Sequence, residues 1–171
     1  MVKNILITGG AGYIGSHISE ILVKNKKNVF IVDNLSTGYS KLINKNARFF
    51  RANINNKNII KAIIINNKID SVIHLAASLI IGMGEKYPKF YYKNNVLGTK
   101  NLLTACFNTT VKNFIFSSTA AVYKDGLFKV TEKSTLKPKS VYGKTKLKAE
   151  NLIITHCKKN KINYGILRYF N

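Results

Sequence analysis

Between residues 2 and 33 an apolar run, a glycine turn, a helical repeat and a second apolar run ending on an acid follow one another directly, and few folds admit that order. The first run is Val2 to Ile7, and the turn is Thr8-Gly9-Gly10-Ala11-Gly12-Tyr13-Ile14-Gly15. Apolar residues then recur at helical spacing at Ile14, Ile18, Ile21 and Leu22. Asn28 to Val32 forms the second run, and Asp33 closes it about twenty residues past the glycines. Together these segments make the strand, turn, helix, strand and acid of a dinucleotide-binding unit. Gly9 permits the sharp turn, Gly12 lets backbone approach a pyrophosphate, and Gly15 lets the helix lie close on the strand. The helix N-terminus offers unpaired N–H groups and a positive dipole end to phosphate. Asp33 suits both ribose hydroxyls and repels a 2′-phosphate, so the expected ligand is NAD and not NADP.

The rest of the chain keeps alternating. After Asp33 a polar turn, Asn34 to Gly38, falls where the adenosine end would lie, and Ala47 to Arg51 reads as a third strand closed by Asn53-Ile54. Ile59, Ile60, Ile63 and Ile64 form a helical stripe, and Asp70 to His74 a fourth strand. Small residues beyond it, in Leu75-Ala76-Ala77-Ser78, leave room for a cofactor. Pro88 suits the first turn of one long helix running through Val96, Leu97, Leu102, Leu103 and Cys106. Lys112 to Thr119 is a fifth strand with a polar end, Ala120 to Ser140 a loop, and Tyr164 to Asn171 a sixth strand. Between the last two lies a helix with Leu147, Leu152 and Ile153 on its apolar side. Right-handed crossovers turn this order into an α/β fold, a Rossmann-type doubly wound parallel sheet with helices on both faces and sites above the strand carboxyl ends. Residues 1–171 are expected to form one domain.

Composition narrows the function classes. A formal net charge of +21 invites a nucleic-acid reading, but the lysines are spread over nearly every helix and loop and accompany abundant Asn and Ile. No arginine stripe or aromatic platform is present, so compositional drift explains the charge better than a selected nucleic-acid site. No run is long enough to span a bilayer and no leader precedes the first strand, which makes the cytoplasm the expected compartment. Cys106 and Cys157 lack metal-ligand spacing and are expected as reduced, buried thiols. His74 at a strand end reads as a structural histidine, and no metal is expected.

The helix before the sixth strand carries Tyr142-Gly143-Lys144-Thr145-Lys146. Tyr142 and Lys146 are one turn apart and share a face. An ammonium near a phenol favours phenolate, and an oxidised nicotinamide adds to the effect, so the pair can take a proton from an alcohol. Thr119, at the end of the preceding strand, stands where a hydroxyl bridges substrate and tyrosine.

These segments, with Val32 to Ser36, Val72 to His74, Asn94-Asn95-Val96, Lys112 to Thr119, Tyr142 to Leu147 and Leu167 to Asn171, resemble the extended short-chain dehydrogenase/reductase family and, within it, its UDP-sugar 4-epimerases. The resemblance covers the whole chain. It implies NAD-dependent epimerisation of a UDP-sugar such as UDP-glucose or UDP-galactose at C4, through a 4-keto intermediate. Catalysis would then fall to Tyr142, Lys146 and Thr119. Cofactor contacts would come from Gly9, Gly12, Tyr13, Ile14, Gly15, Asp33 and Asn34, from Asn53, Ile54, Leu75, Ala76 and Ala77, and from Asn94, Ser117 and Tyr169 besides Tyr142 and Lys146. Substrate contacts would begin at Phe170 and Asn171, and a homodimer is a further implied partner. The chain departs from the family pattern at Asn53, Leu79, Lys124 and Val141. Its chains run to roughly twice this length, so this one looks like an N-terminal part, and an NAD-binding fragment without turnover stands as the second reading. A sibling 4,6-dehydratase is disfavoured because Ala120 and Ala121 follow Thr119 where that group has an acidic pair.

Overall fold

The computed structural model describes residues 3–126 and 129–170, so Val2 of the expected first strand and Asn171 of the expected substrate site lie outside the described residues. Six strands alternate with helices: β1 (Asn4–Thr8), α1 (Tyr13–Lys24), β2 (Asn28–Asp33), β3 (Arg48–Arg51), α2 (Lys57–Asn66), β4 (Ser71–His74), α3 (Ile81–Lys86), α4 (Pro88–Tyr91), a π-helical stretch (Tyr92–Leu97), α5 (Gly98–Cys106), β5 (Asn113–Thr119), α6 (Val141–Asn160) and β6 (Asn163–Tyr169). All five pairings are parallel. The strand order is β3-β2-β1-β4-β5-β6, the doubly wound arrangement expected from the alternation.

Period-two side-chain alternation divides the core between the two sheet faces. Leu6, Val32, Val72, Phe114 and Phe116 pack beneath α2, α5 and α6, which contribute Ile60, Ile64, Leu102, Cys106 and Ile153. On the opposite face Ile5, Ile7, Val29, Ile31 and Ile73 meet Ile18, Leu22 and Val23 of α1. Both cysteines are buried and free. Among the described residues no helix is long and apolar enough to cross a membrane.

The structure corrects three details of the sequence reading. The stripe on α1 is rotated: Gly15 and Ser19 are its buried residues, whereas Ile21 is 60% exposed and Ile14 is also exposed. Close packing is the cause, since a Cβ at Gly15 would stand 2.3 Å from the Gly9 carbonyl oxygen, and the helix can approach the turn only along its small residues. The long helix after Pro88 is interrupted by the π-helical stretch and preceded by the separate α3. Apolar spacing does not report a local change in hydrogen-bond step, so a widened turn reads as ordinary helix. Finally, Ile115 and Leu167, the latter 46% exposed, lie on a part of the sheet that no helix among the described residues covers.

Candidate active site

Where the strand order reverses, between β1 and β4, a groove opens above the carboxyl ends of the strands. Its walls come from Gly9 and Gly12 after β1, Asp33 and Asn34 at the end of β2, Asn53 and Ile54 after β3, Leu75, Ala76 and Ala77 after β4, and Asn94 in the π-helical stretch. Gly9 has φ +76°, and a Cβ there would stand 2.7 Å from the Ala76 amide nitrogen, so turn and close approach both demand glycine. At Gly12, the N-cap of α1, a Cβ would meet only the Gly9 carbonyl oxygen at 3.4 Å. Internal packing does not require that glycine.

Asp33 is buried, with Oδ2 accepting from the Ala11 N–H at 3.0 Å and Oδ1 from the Leu35 N–H at 2.8 Å. Each carboxylate oxygen keeps a second lone pair for a ligand hydroxyl. Tyr13, Ile14, Gly15, Ser117, Tyr142, Lys146 and Tyr169, which the resemblance grouped with the cofactor, are not in the groove lining. Tyr13 is 79% exposed and packs on His17, so the first residues of α1 offer backbone N–H groups and not side chains.

His74, at the end of β4, is fully enclosed. Thr99 Oγ1 donates to the Asn95 carbonyl at 2.6 Å, so it accepts from His74 Nε2 at 2.9 Å, and His74 Nδ1 accepts from Thr8 Oγ1 at 2.7 Å. The imidazole is therefore the neutral Nε2–H tautomer, and burial together with nearby Lys146 brings its pKa down to about 3. The structural reading of His74 holds, and its bonds join β1, β4 and α5.

Ser140 caps α6 by accepting from the Gly143 N–H, and Glu85 accepts from the Val141 N–H. Thr145 donates to the Tyr142 carbonyl and accepts from Asn95 Nδ2, while Asn95 also clasps both backbone groups of Ser78. These bonds set α6 against the groove. Tyr142 is turned toward Thr119: burial raises its pKa, and the Thr119 hydroxyl works against that rise. Thr119 Oγ1 accepts from the Ala121 N–H at 3.1 Å, leaving its hydroxyl hydrogen for the phenol. Lys146 is 2% exposed, with its ammonium 4.1 Å from the Phe116 ring centroid and its pKa lowered to about 7, chiefly by burial. The catalytic candidates thus gather at the end of β5 and the start of α6. Phe170 is exposed and stacks on Tyr123 at 6.3 Å between centroids.

The residues that sequence reasoning passed over are those behind the lysine. Glu150, 1% exposed, accepts from Arg168 Nε at 3.0 Å, from Arg168 Nη2 at 2.7 Å and from the Ser118 hydroxyl. Arg168 Nη1 also donates to the Tyr123 hydroxyl. A signal existed: Tyr142, Lys146 and Glu150 are spaced by four, and Glu150 is one of only seven acids in the chain.

The family profile described as "NAD dependent epimerase/dehydratase family" matches residues 5–171. Among curated proteins, a UDP-glucose 4-epimerase from Lactobacillus helveticus is 40% identical over 170 residues, 98% of this chain and 51% of that protein. The solved UDP-glucose 4-epimerase of Brucella ovis in complex with NAD superposes with a TM-score of 0.95 at 36% identity, covering 99% of this chain and 52% of the other. That of Thermotoga maritima with UDP-glucose gives 0.94 at 34% identity, covering 98% and 55%. The chain spans about half the length of the curated relatives it matches.

Proposed function

This chain belongs to the NAD dependent epimerase/dehydratase family, and from that membership we propose that residues 1–171 form one NAD-binding domain carrying the proton-transfer residues of a UDP-sugar 4-epimerase. The observation that carries the reading is a groove lined by the glycine turn, Asp33 and Asn94, tied through the neighbouring Asn95 to Thr145 of α6, at whose start Tyr142 and Lys146 gather with Thr119. NAD, when bound, supplies a reversible hydride acceptor for C4 of the sugar. Gly12 and the first turn of α1 receive the pyrophosphate, and Asp33 the adenosine ribose. Asn53 would meet the adenine end, and Lys146, for which no hydrogen-bond acceptor is found among the described residues, would hold the second ribose. Tyr142 would take the proton from the 4-hydroxyl and return it on reversal, with the Thr119 hydroxyl either donating a hydrogen bond to the phenolate or handing over its hydrogen only as it takes up the substrate's. Lys146 must be charged in that step, because its ammonium is what makes a phenolate attainable near neutral pH. Phe170 and Asn171 open the substrate site.

The relatives are about twice as long as this chain, so in this reading the grip on the uridine diphosphate needs residues beyond those of this chain. Calorimetric titration with NAD, followed by conversion of UDP-galactose to UDP-glucose by the chain with and without whatever sequence adjoins it, tests both parts. NAD binding without turnover in either form would favour a fragment that only holds cofactor. Loss of NAD binding would overturn the proposal.

A further inference from the structure

We propose that Arg168 is a positioning residue for the proton-transfer site, its guanidinium gripping both ends of residues 118–123 so that Thr119, between them, keeps its place against Tyr142. The inference rests on the reading of Tyr142 and Thr119 as proton-transfer residues. Parallel pairing sets Arg168 of β6 opposite Ser118 of β5, and paired residues of adjacent strands project from the same sheet face. Glu150 of α6 receives both side chains there. Its Oε1 accepts from the Ser118 hydroxyl and from Arg168 Nε at 3.0 Å, and its Oε2 from Arg168 Nη2 at 2.7 Å. That is the anchor before Thr119. The anchor after it is Tyr123, whose hydroxyl accepts from Arg168 Nη1 at 2.9 Å. Between the anchors the chain makes a single 3₁₀ turn over Ala120–Val122, closed by the Tyr123 N–H on the Ala120 carbonyl and by the Ala121 N–H on Thr119 Oγ1. This turn abuts the start of α6, since the Ala121 carbonyl oxygen stands 2.4 Å from where a Cβ on Gly143, the residue after Tyr142, would lie. Slack at either anchor therefore moves Thr119 relative to Tyr142.

Charge alone does not account for the arrangement, because a buried ion pair adds little to stability once its desolvation is counted. Direction does. Nε and Nη2 meet one carboxylate side by side while Nη1 reaches a different element, and a lysine ammonium, a single point charge, cannot reproduce three bonds in that fixed fork.

Arg168→Lys keeps the charge and removes the fork, whereas Tyr123→Phe removes only the second anchor. In protein with carbon-13 threonine methyl groups, assigned through Thr119→Ser and Tyr142→Phe, the parent should give a nuclear Overhauser cross-peak between the Thr119 methyl and the Tyr142 ring. Tyr123→Phe should weaken it and Arg168→Lys should abolish it. Arg168→Leu/Glu150→Leu, which exchanges the pair for apolar side chains, should keep the fold and lose the cross-peak, and serves if Arg168→Lys does not fold. With NAD bound, Tyr142 should titrate about one pH unit higher, a tenfold loss of acidity, in Arg168→Lys and in Thr119→Ala alike. The combined variant should titrate no higher than either, because the arginine acts through the threonine. A parent without the cross-peak, folded variants that retain it, or shifts that add in the combined variant would leave Arg168 a purely structural role and overturn the proposal. If the parent binds no NAD, the cofactor reading fails while the cross-peaks still decide this one.

Discussion

Asp33 shows how one side chain can serve fold and ligand together. Its two oxygens hold the Ala11 and Leu35 N–H groups, which shape the glycine turn and the loop after β2, and their remaining lone pairs face the groove. Asp33→Ala should weaken NAD binding by about 1–3 kcal/mol, roughly 5- to 150-fold, the usual cost of removing a charged acceptor. Equal calorimetric affinity in parent and variant would contradict the assignment. His74 makes a different demand, for neutrality. Its folded-state pKa of about 3 lies below the ordinary 6.5, so protons bind the unfolded chain more readily. The stability it confers is complete above pH 6.5, declines as pH falls through that window, and is exhausted below about pH 3. Denaturant unfolding at pH 7 and pH 4.5 should show the parent losing about 2–3 kcal/mol more than His74→Gln, at about 1.4 kcal/mol per unit. Parallel losses in the two proteins would mean that the histidine is not the proton acceptor.

Among the elements, α6 is placed by what lies at its first turn. A Cβ on Gly143 would stand 2.4 Å from the Ala121 carbonyl oxygen, so the glycine beside Tyr142 is what allows the helix to reach the turn that follows Thr119. Gly143→Ala should force backbone apart, at about 1–3 kcal/mol of stability, and should carry Tyr142 away from Thr119. Gly165→Ala is the internal comparison, because a Cβ there meets nothing within 4 Å. Denaturation midpoints that fall equally in both variants would remove the steric argument. The π-helical stretch does related work: its widened turn presents Asn94 and Asn95 together to Ser78, where a regular helix would separate them further along its surface.

At the scale of the whole molecule the sheet is unevenly clothed. Helices α2, α5 and α6 cover one face, but over β5 and β6 the other leaves Ile115, Leu167 and Tyr169 exposed beside an edge strand. Apolar surface next to unpaired strand backbone promotes association. Relatives twice as long have further chain with which such a face can be covered. The 171-residue chain by itself should therefore self-associate and turn over UDP-galactose at little or no measurable rate, since holding the sugar near Tyr142 supplies a large share of catalysis. Light scattering should fall in Leu167→Lys, and coupled assays should stay near background for both proteins. Rapid turnover by a soluble monomer would refute both expectations.

The alternating order of strands and helices, the groove-forming glycines with Asp33, and the Tyr142–Lys146 pair were legible along the chain, because each depends on residues close in sequence and on periodicities that side-chain burial imposes, whereas Thr119 could be read only from its place at the end of a strand. Strand limits read this way fell within a residue or two of those observed, as with Ala47 to Arg51 against Arg48–Arg51. What the chain could not announce were contacts made across the fold. The rotation of α1 follows from how closely Gly15 can approach Gly9, a distance that hydrophobic spacing does not encode. The exclusion of Tyr13, Ser117 and Tyr169 from the groove depends on which way each side chain turns once its element is seated. Glu150 met Arg168, and with it Ser118, only when β6 paired with β5 under α6; that buried ion pair belongs to a long-range assembly, and tertiary structure alone decided it.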